Sequence, residues 1–337
     1  MLLRHRIKFP LLKKTPNTVK QTKPKPIKCN TRQLPLEIQE IICFMVLGED
    51  ASSPFVVTAM RVCKTWAAFI CERMYRKYQF KNYLQFIGFV LTISLPNPLL
   101  PYNLYVQEIN FESVNKYGVD TRVRRLIKYC PNITNIKFGQ ATSVKSDTLQ
   151  LLGKYCQNVK TLQLGGIQSF PFMLDCNFSG MDSLSNLSLA ATPIQYSSLK
   201  TIPTSIRHLK LMQMDALYHK DLMQWTQTHR QLTFLSIGRC KHLTQKFAEL
   251  VAELPRLTDL ELYGTEINDT SLLGLFDIPI TLNTLSICHT QITDTTLQSL
   301  SNGRLVINHL NIINTNNSVT EYGIHSLLKT KKFKTIQ

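Results

Sequence analysis

The chain has 337 residues, 44% of them hydrophobic, which is enough for a sizeable core in two domains or one long repeat array. Its formal net charge is +17 and its nine cysteines are never closer than the eight residues from 63 to 71. That spacing excludes a Cys-x-x-Cys metal or redox motif and fits reduced core thiols of an intracellular protein, cytoplasmic and/or nuclear. No apolar run reaches the length of a membrane span, so no membrane partner is expected.

In chain order, residues 1–33 come first, with ten of the 39 basic residues and no acid. A polar, proline-dotted segment such as 20–28 cannot bury enough apolar area to offset its ordering entropy, so a disordered basic tail is expected. Three roles stay open for it: a solvated segment, a nuclear-import or nucleic-acid patch, or a mitochondrial targeting sequence. The targeting reading rests on Leu2, Leu3, Ile7 and Phe9 among Arg4, Arg6 and Lys8, cut short by Pro10. Phe9 is the tail's one aromatic, too few for base stacking, which speaks against nucleic acid as a partner.

Residues 34–80 read as a small three-helix module. Pro35 and Glu37 suit a first helical turn, and the helix is apolar from Ile41 to Leu47. Such a helix needs cover on several sides. Ser53-Pro54 opens a second helix with Ser53 as N-cap. Val56, Val57, Met60 and Cys63 form its inward set, continued on a third helix by Trp66, Phe69, Ile70 and Met74. Three short helices cannot bury all of this among themselves. The order Leu34-Pro35-Leu36-Glu37-Ile38, apolar helix, loop and Val62-Cys63-Lys64-Thr65-Trp66 resembles an F-box. The resemblance implies docking on a Skp-type adaptor and, through it, on a cullin-based ubiquitin ligase. It places the docking surface at Leu34, Pro35, Ile38, Ile42, Val62, Cys63 and Trp66. The alternative is a helical cap packed on the domain that follows.

A bridging segment, 81–101, contains an apolar stretch from Leu84 to Leu95 that suits a buried helix. From Tyr102 to Gln337 the sequence repeats itself. The pattern L-x-x-L-x-L, with Ile, Val or Phe allowed, starts at Val106, Ile133, Val159, Leu184, Ile206, Leu232, Leu257, Leu282 and Ile307, in steps of 22 to 27 residues. A tenth begins at Phe333. Each unit continues with helical spacing, as in Ile292-Thr293-Asp294 before Leu297 and Leu300, and Ile267-Asn268-Asp269 before Leu272 and Leu275. Thr293 is placed to cap its helix. Neither strand nor helix can bury its leucines alone, so neighbouring units must stack. These features, with Cys130-Pro131-Asn132, resemble the cysteine-containing class of leucine-rich repeats. The expected fold is therefore α/β: a leucine-rich-repeat solenoid, a horseshoe arc with strands on its concave side, preceded by the F-box-like module. The helical half is missing from Ile167 to Gly180, and 184–205 is short, so regular curvature is in doubt there. No polar capping repeat follows Phe333, and the basic run Lys329 to Lys334 or a partner is expected to shield that end.

Intervening strand residues point away from the leucines. The later repeats place Lys210, Phe234, Arg239, Asp259, Glu261, Tyr263 and His289 on this face, a mixture that protein-binding surfaces over-use. A protein substrate is expected there, centred on Phe234, Arg239, Glu261 and Tyr263. No phosphate loop, nucleophile elbow or His-x-x-x-His pair occurs, so no catalysis, cofactor or metal is expected. Cys288 and His289 adjoin, but strand alternation would send them to opposite faces. Arrangement and resemblance together imply a substrate receptor of an SCF-type ubiquitin ligase, with a non-ligase interaction scaffold as the alternative.

Overall fold

The computed structural model describes residues 34–47, 55–114, 118–139, 144–165, 176–192, 194–243, 246–313, 318–329 and 333–336. The basic tail, the Ser53 cap and Phe170-Pro171-Phe172 lie outside them.

Among the described residues eleven strands form one parallel sheet whose spatial order is the chain order. They are β1 (Lys77–Gln79), β2 (Glu108–Asn110), β3 (Asn135–Phe138), β4 (Thr161–Gly165), β5 (Asn186–Ala190), β6 (His208–Met212), β7 (Phe234–Gly238), β8 (Asp259–Tyr263), β9 (Thr281–Cys288), β10 (Val306–Asn311) and β11 (Thr335–Ile336). Leu187, Leu209, Leu235, Leu260, Leu285 and Leu310 stand in successive register, all buried. Each contributes roughly 1.5–3 kcal/mol, but only once its neighbours cover it. Parallel pairing requires a crossover, and the helical halves supply it. These are α6 (Asp120–Tyr129), α7 (Ser146–Tyr155), α8 (Tyr196–Leu199), α9 (His219–Thr226), α10 (Phe247–Ala252), α11 (Asp294–Asn302) and α12 (Glu321–Lys329). The chain is a leucine-rich-repeat solenoid.

Polar side chains tie each unit to the next. Asp269 accepts from the Thr293 amide at 2.9 Å and the Thr293 hydroxyl at 2.7 Å, and Asp294 takes the same two bonds from Thr320 at 2.9 and 2.6 Å. Thr293 also caps α11, accepting from the Thr295 amide at 3.2 Å. The Ile-Thr-Asp motif is thus a cap and an inter-repeat tie at once. The buried Cys156 thiol donates to the Cys130 carbonyl at 3.3 Å. The Cys240 thiol donates to the Gly238 carbonyl at 3.2 Å. Burial pushes these thiols up, Cys156 to about 12 and Cys240 to about 11, so they stay protonated as donors.

The sequence reading needs five corrections. First, the sheet starts at β1, before the leucine pattern begins at Tyr102, because backbone pairing of Lys77 with Glu108 needs no leucine. Second, the bridging helix α4 (Tyr83–Ile93) buries Phe86, Phe89, Val90 and Ile93 against α6, α5 (Tyr102–Tyr105) and the rings of Tyr75, Tyr78 and Phe111, but exposes Leu84 and Leu91 on its other side. Third, the ladder β4–β5–β6 pairs without a register shift, so the short repeat leaves the sheet regular. Fourth, Asp269–Leu272 and Leu275–Asp277 are 3-10 turns, divided at Gly274 with φ +75°, where a continuous helix was expected. The fifth concerns Val57 and Cys63, which face solvent and not the inward side.

The first three helices are α1 (Leu36–Leu47), α2 (Phe55–Met60) and α3 (Lys64–Arg76). Their core is small and separate from the solenoid's: Cys43, Val56, Ala59 and Ile70, with Phe44, Met60, Trp66 and Met74 packed on it. α3 runs directly into β1. Tyr75 stacks on Phe89 at 5.5 Å and lies 5.2 Å from Tyr102, carrying the helices onto the end of the sheet.

Candidate functional site

Two surfaces stand out. The first is the outer face of α1 and α2. Four buried residues cannot seat the apolar residues of three helices, and the surplus faces outward. Leu34 (52% exposed), Leu36 (58%), Ile38 (42%), Ile41 (52%), Met45 (79%), Val57 (57%) and Val62 (59%) are uncovered. Single exposed apolar residues are ordinary, but seven on one small module are not. Of the expected docking residues, Leu34, Pro35, Ile38, Val62 and Cys63 are exposed, whereas Ile42 and Trp66 are half-buried. Trp66 packs on the module's core, and the Cys63 sulfur caps α3 by accepting from the Trp66 amide at 3.5 Å. Leu36, Ile41, Met45 and Val57 were missed, because helical phase was ambiguous in so apolar a stretch.

The second surface is the open face of the sheet, where register fixes the rows. Phe234 and Asp259 pair in the row at the strand starts, beside His208, whose ring meets Phe234 edge-on at 5.7 Å. One row on, Ser188, Lys210, Ser236, Glu261 and Ser286 alternate small and charged. Lys210 reaches across Ser236 to within 4.0 Å of Glu261, an exposed pair that contributes under about 1 kcal/mol. At the strand ends Tyr263 pairs with Gly238 and Cys288. Met212 folds over Gly238, where a Cβ would lie 2.6 Å from its sulfur. The seven expected residues therefore divide. Tyr263, Arg239 and His289 gather at the strand ends with Lys210 and Glu261 one row before them, and Phe234 and Asp259 stand apart at the strand starts.

What gathers them is a corner in the backbone. Ala191, Gln213, Arg239, Gly264 and His289 each follow a strand with positive φ (48°, 54°, 51°, 124° and 54°). Each donates its amide to the next strand, Arg239 to the Tyr263 carbonyl at 2.7 Å and His289 to the Ile313 carbonyl at 3.1 Å. The left-handed turn ends the alternation, which corrects the expectation for Cys288 and His289: both border one cavity. Arg239 lies 5.3 Å over the Tyr263 ring, and the His289 ring meets that of Tyr263 edge-on at 4.8 Å. Between Tyr263 and Ile313 a socket of about 300 Å³ opens over Ser286 and Cys288. Ile313, two residues past β10, was not among the expected residues. No group of three His, Cys, Asp or Glu residues able to hold a metal occurs among the described residues.

Together these elements make a leucine-rich-repeat solenoid that carries a helical module at one end. No family model matches the chain, and no curated protein matches it. Among solved structures it is similar to a chain of the yeast Rad7–Elc1 complex, at 14% identity over 87% of this chain and 79% of that one, TM-score 0.47. It is also similar to a chain of the mouse RP105/MD-1 complex (17% identity, 72% and 43% covered, TM-score 0.45). A chain of the TLR13–ssRNA13 complex is a third (13% identity, 74% and 36% covered, TM-score 0.43). No helix among the described residues is long and apolar enough to cross a membrane.

Proposed function

We propose that this chain is the substrate-recognition subunit of an SCF-type ubiquitin ligase. The F-box-like helices dock a Skp-type adaptor and hence a cullin scaffold, and the open sheet face holds a protein substrate. The chain itself catalyses nothing, and acceleration comes from holding substrate near the ubiquitin-charged enzyme. One observation carries the reading: α1 and α2 leave an apolar face uncovered that a partner would remove from water. Affinity capture of wild type and of Leu34→Ala/Pro35→Ala tests it. Wild type should retain a small acidic adaptor that the double variant loses, and wild type with no adaptor would reject the reading.

A second reading has its own observation. α3 continues into β1, and Tyr75, Phe89 and Tyr102 seal the end of the sheet, as a cap on a non-ligase interaction scaffold would. The same capture separates the two readings, because a cap needs no adaptor.

A further inference from the structure

We propose that the socket on the open face is the specificity pocket, and that it takes a protein segment presenting an apolar side chain next to an anionic group. This rests on the reading of the open face as the substrate side. Met212, Tyr263 and Ile313 give the socket apolar walls, and Ser286 and Cys288 leave its floor low, so it has depth for one large side chain. The charge beside it is unbalanced. Lys210 and Glu261 answer each other at 4.0 Å. Arg239 has no such answer: its guanidinium lies over Tyr263 and makes no hydrogen bond or ion pair with any described residue. Its five donors are thus left without a partner among the described residues, beside a ring that also lines the socket.

Arg239 lines a second cavity of about 570 Å³ at the strand ends and stands over Tyr263, which lines the socket. That second cavity is bordered by Asp215 and Glu266 and, besides Arg239, by Lys241. An anionic group held by Arg239 lies beside whatever fills the socket, because the guanidinium sits over the Tyr263 ring that lines it. Covering the Arg239–Tyr263 pair removes it from water, where a charge-assisted bond to guanidinium is strongest.

The test selects a phage-displayed library of random 12-residue peptides on the full chain, then measures synthetic peptides by fluorescence anisotropy. Wild type should enrich an aromatic or aliphatic residue within two positions of Asp or Glu. Arg239→Glu should turn the acidic preference into a Lys or Arg preference, and Arg239→Gln should abolish it. Tyr263→Ala should cost about tenfold or more in affinity. Replacing the acidic residue by phosphoserine distinguishes sources: tighter binding points to a phosphorylated partner, weaker binding to a carboxylate. Both support an anion-reading Arg239. Each variant is checked for wild-type thermal unfolding, and Arg239 is exposed, so it tolerates exchange. Enrichment of no peptide by wild type, enrichment without an acid, or a preference unmoved by Arg239→Glu would overturn the proposal. Adaptor capture involves α1 and α2 only. Failure of the peptide selection with capture intact removes this assignment alone, and the converse removes the ligase reading alone.

Discussion

Asp269 shows how one side chain holds two repeats together. Burial pushes its carboxyl upward, but hydrogen bonds from Thr296 and Thr293 outweigh burial and hold it below the usual carboxylate value. Those bonds are made to the ionised form, so the folded value lies under the unfolded one of about 3.9. The stability they contribute is complete above that pH and is lost as pH falls through the folded value. Asp269→Asn should lower stability at pH 7 by about 1–2 kcal/mol, a figure kept small because the group is only half-buried. In urea titrations from pH 7 to pH 3, wild type should lose midpoint on acidification and the variant should lose less. Equal acid sensitivity in both would contradict this role. The Thr-Asp spacing is readable in the sequence, but the Asp–Thr partnership across a whole period is not, because only stacking brings the two together.

At the scale of the element, the corner after each strand matters most. It costs a non-glycine residue roughly 1–2 kcal/mol to stand in the left-handed region. Ala191, Gln213, Arg239 and His289 stand there because the extra backbone bond to the next strand outweighs that cost. A β-branched residue would be worse placed. Ala191→Val should therefore lower the unfolding midpoint by an amount equivalent to about 1–2 kcal/mol, while Ala191→Gly leaves it level or raised. A differential thermal scan of the three proteins decides it, and a neutral Ala191→Val would refute the corner as a constraint. Here the limits of sequence are physical. The leucine rows are legible because burying them demands a fixed spacing, and the whole ladder from β2 to β10 follows from it. The corner is illegible because Ala, Gln, Arg and His carry no turn signature, and Gly264 alone does. β1 is equally hidden, since Lys77-Tyr78-Gln79 pairs through its backbone. The site shared this fate: Lys210, Glu261 and Tyr263 were readable as outward strand residues, whereas the corner that brings Arg239 and His289 to Tyr263 was not.

Across the whole molecule, two cores of unequal size meet at one helix. The solenoid core is continuous from Phe80 to Leu327, while the helical module has four buried residues of its own. A core that small stabilises weakly, and α1 and α2 rest on it alone, whereas α3 also reaches the solenoid core through Tyr75. Their amides are expected to exchange rapidly in the isolated chain and those of β4 to β9 slowly. The ligase reading turns on what a partner does to that difference. Hydrogen–deuterium exchange of the full chain, alone and with a purified Skp-type adaptor in excess, measures it directly. The account predicts strong new protection confined to Leu34–Leu47 and to Phe55–Trp66, with β4 to β9 unchanged. Unaltered exchange across α1 and α2 under saturating adaptor would contradict it.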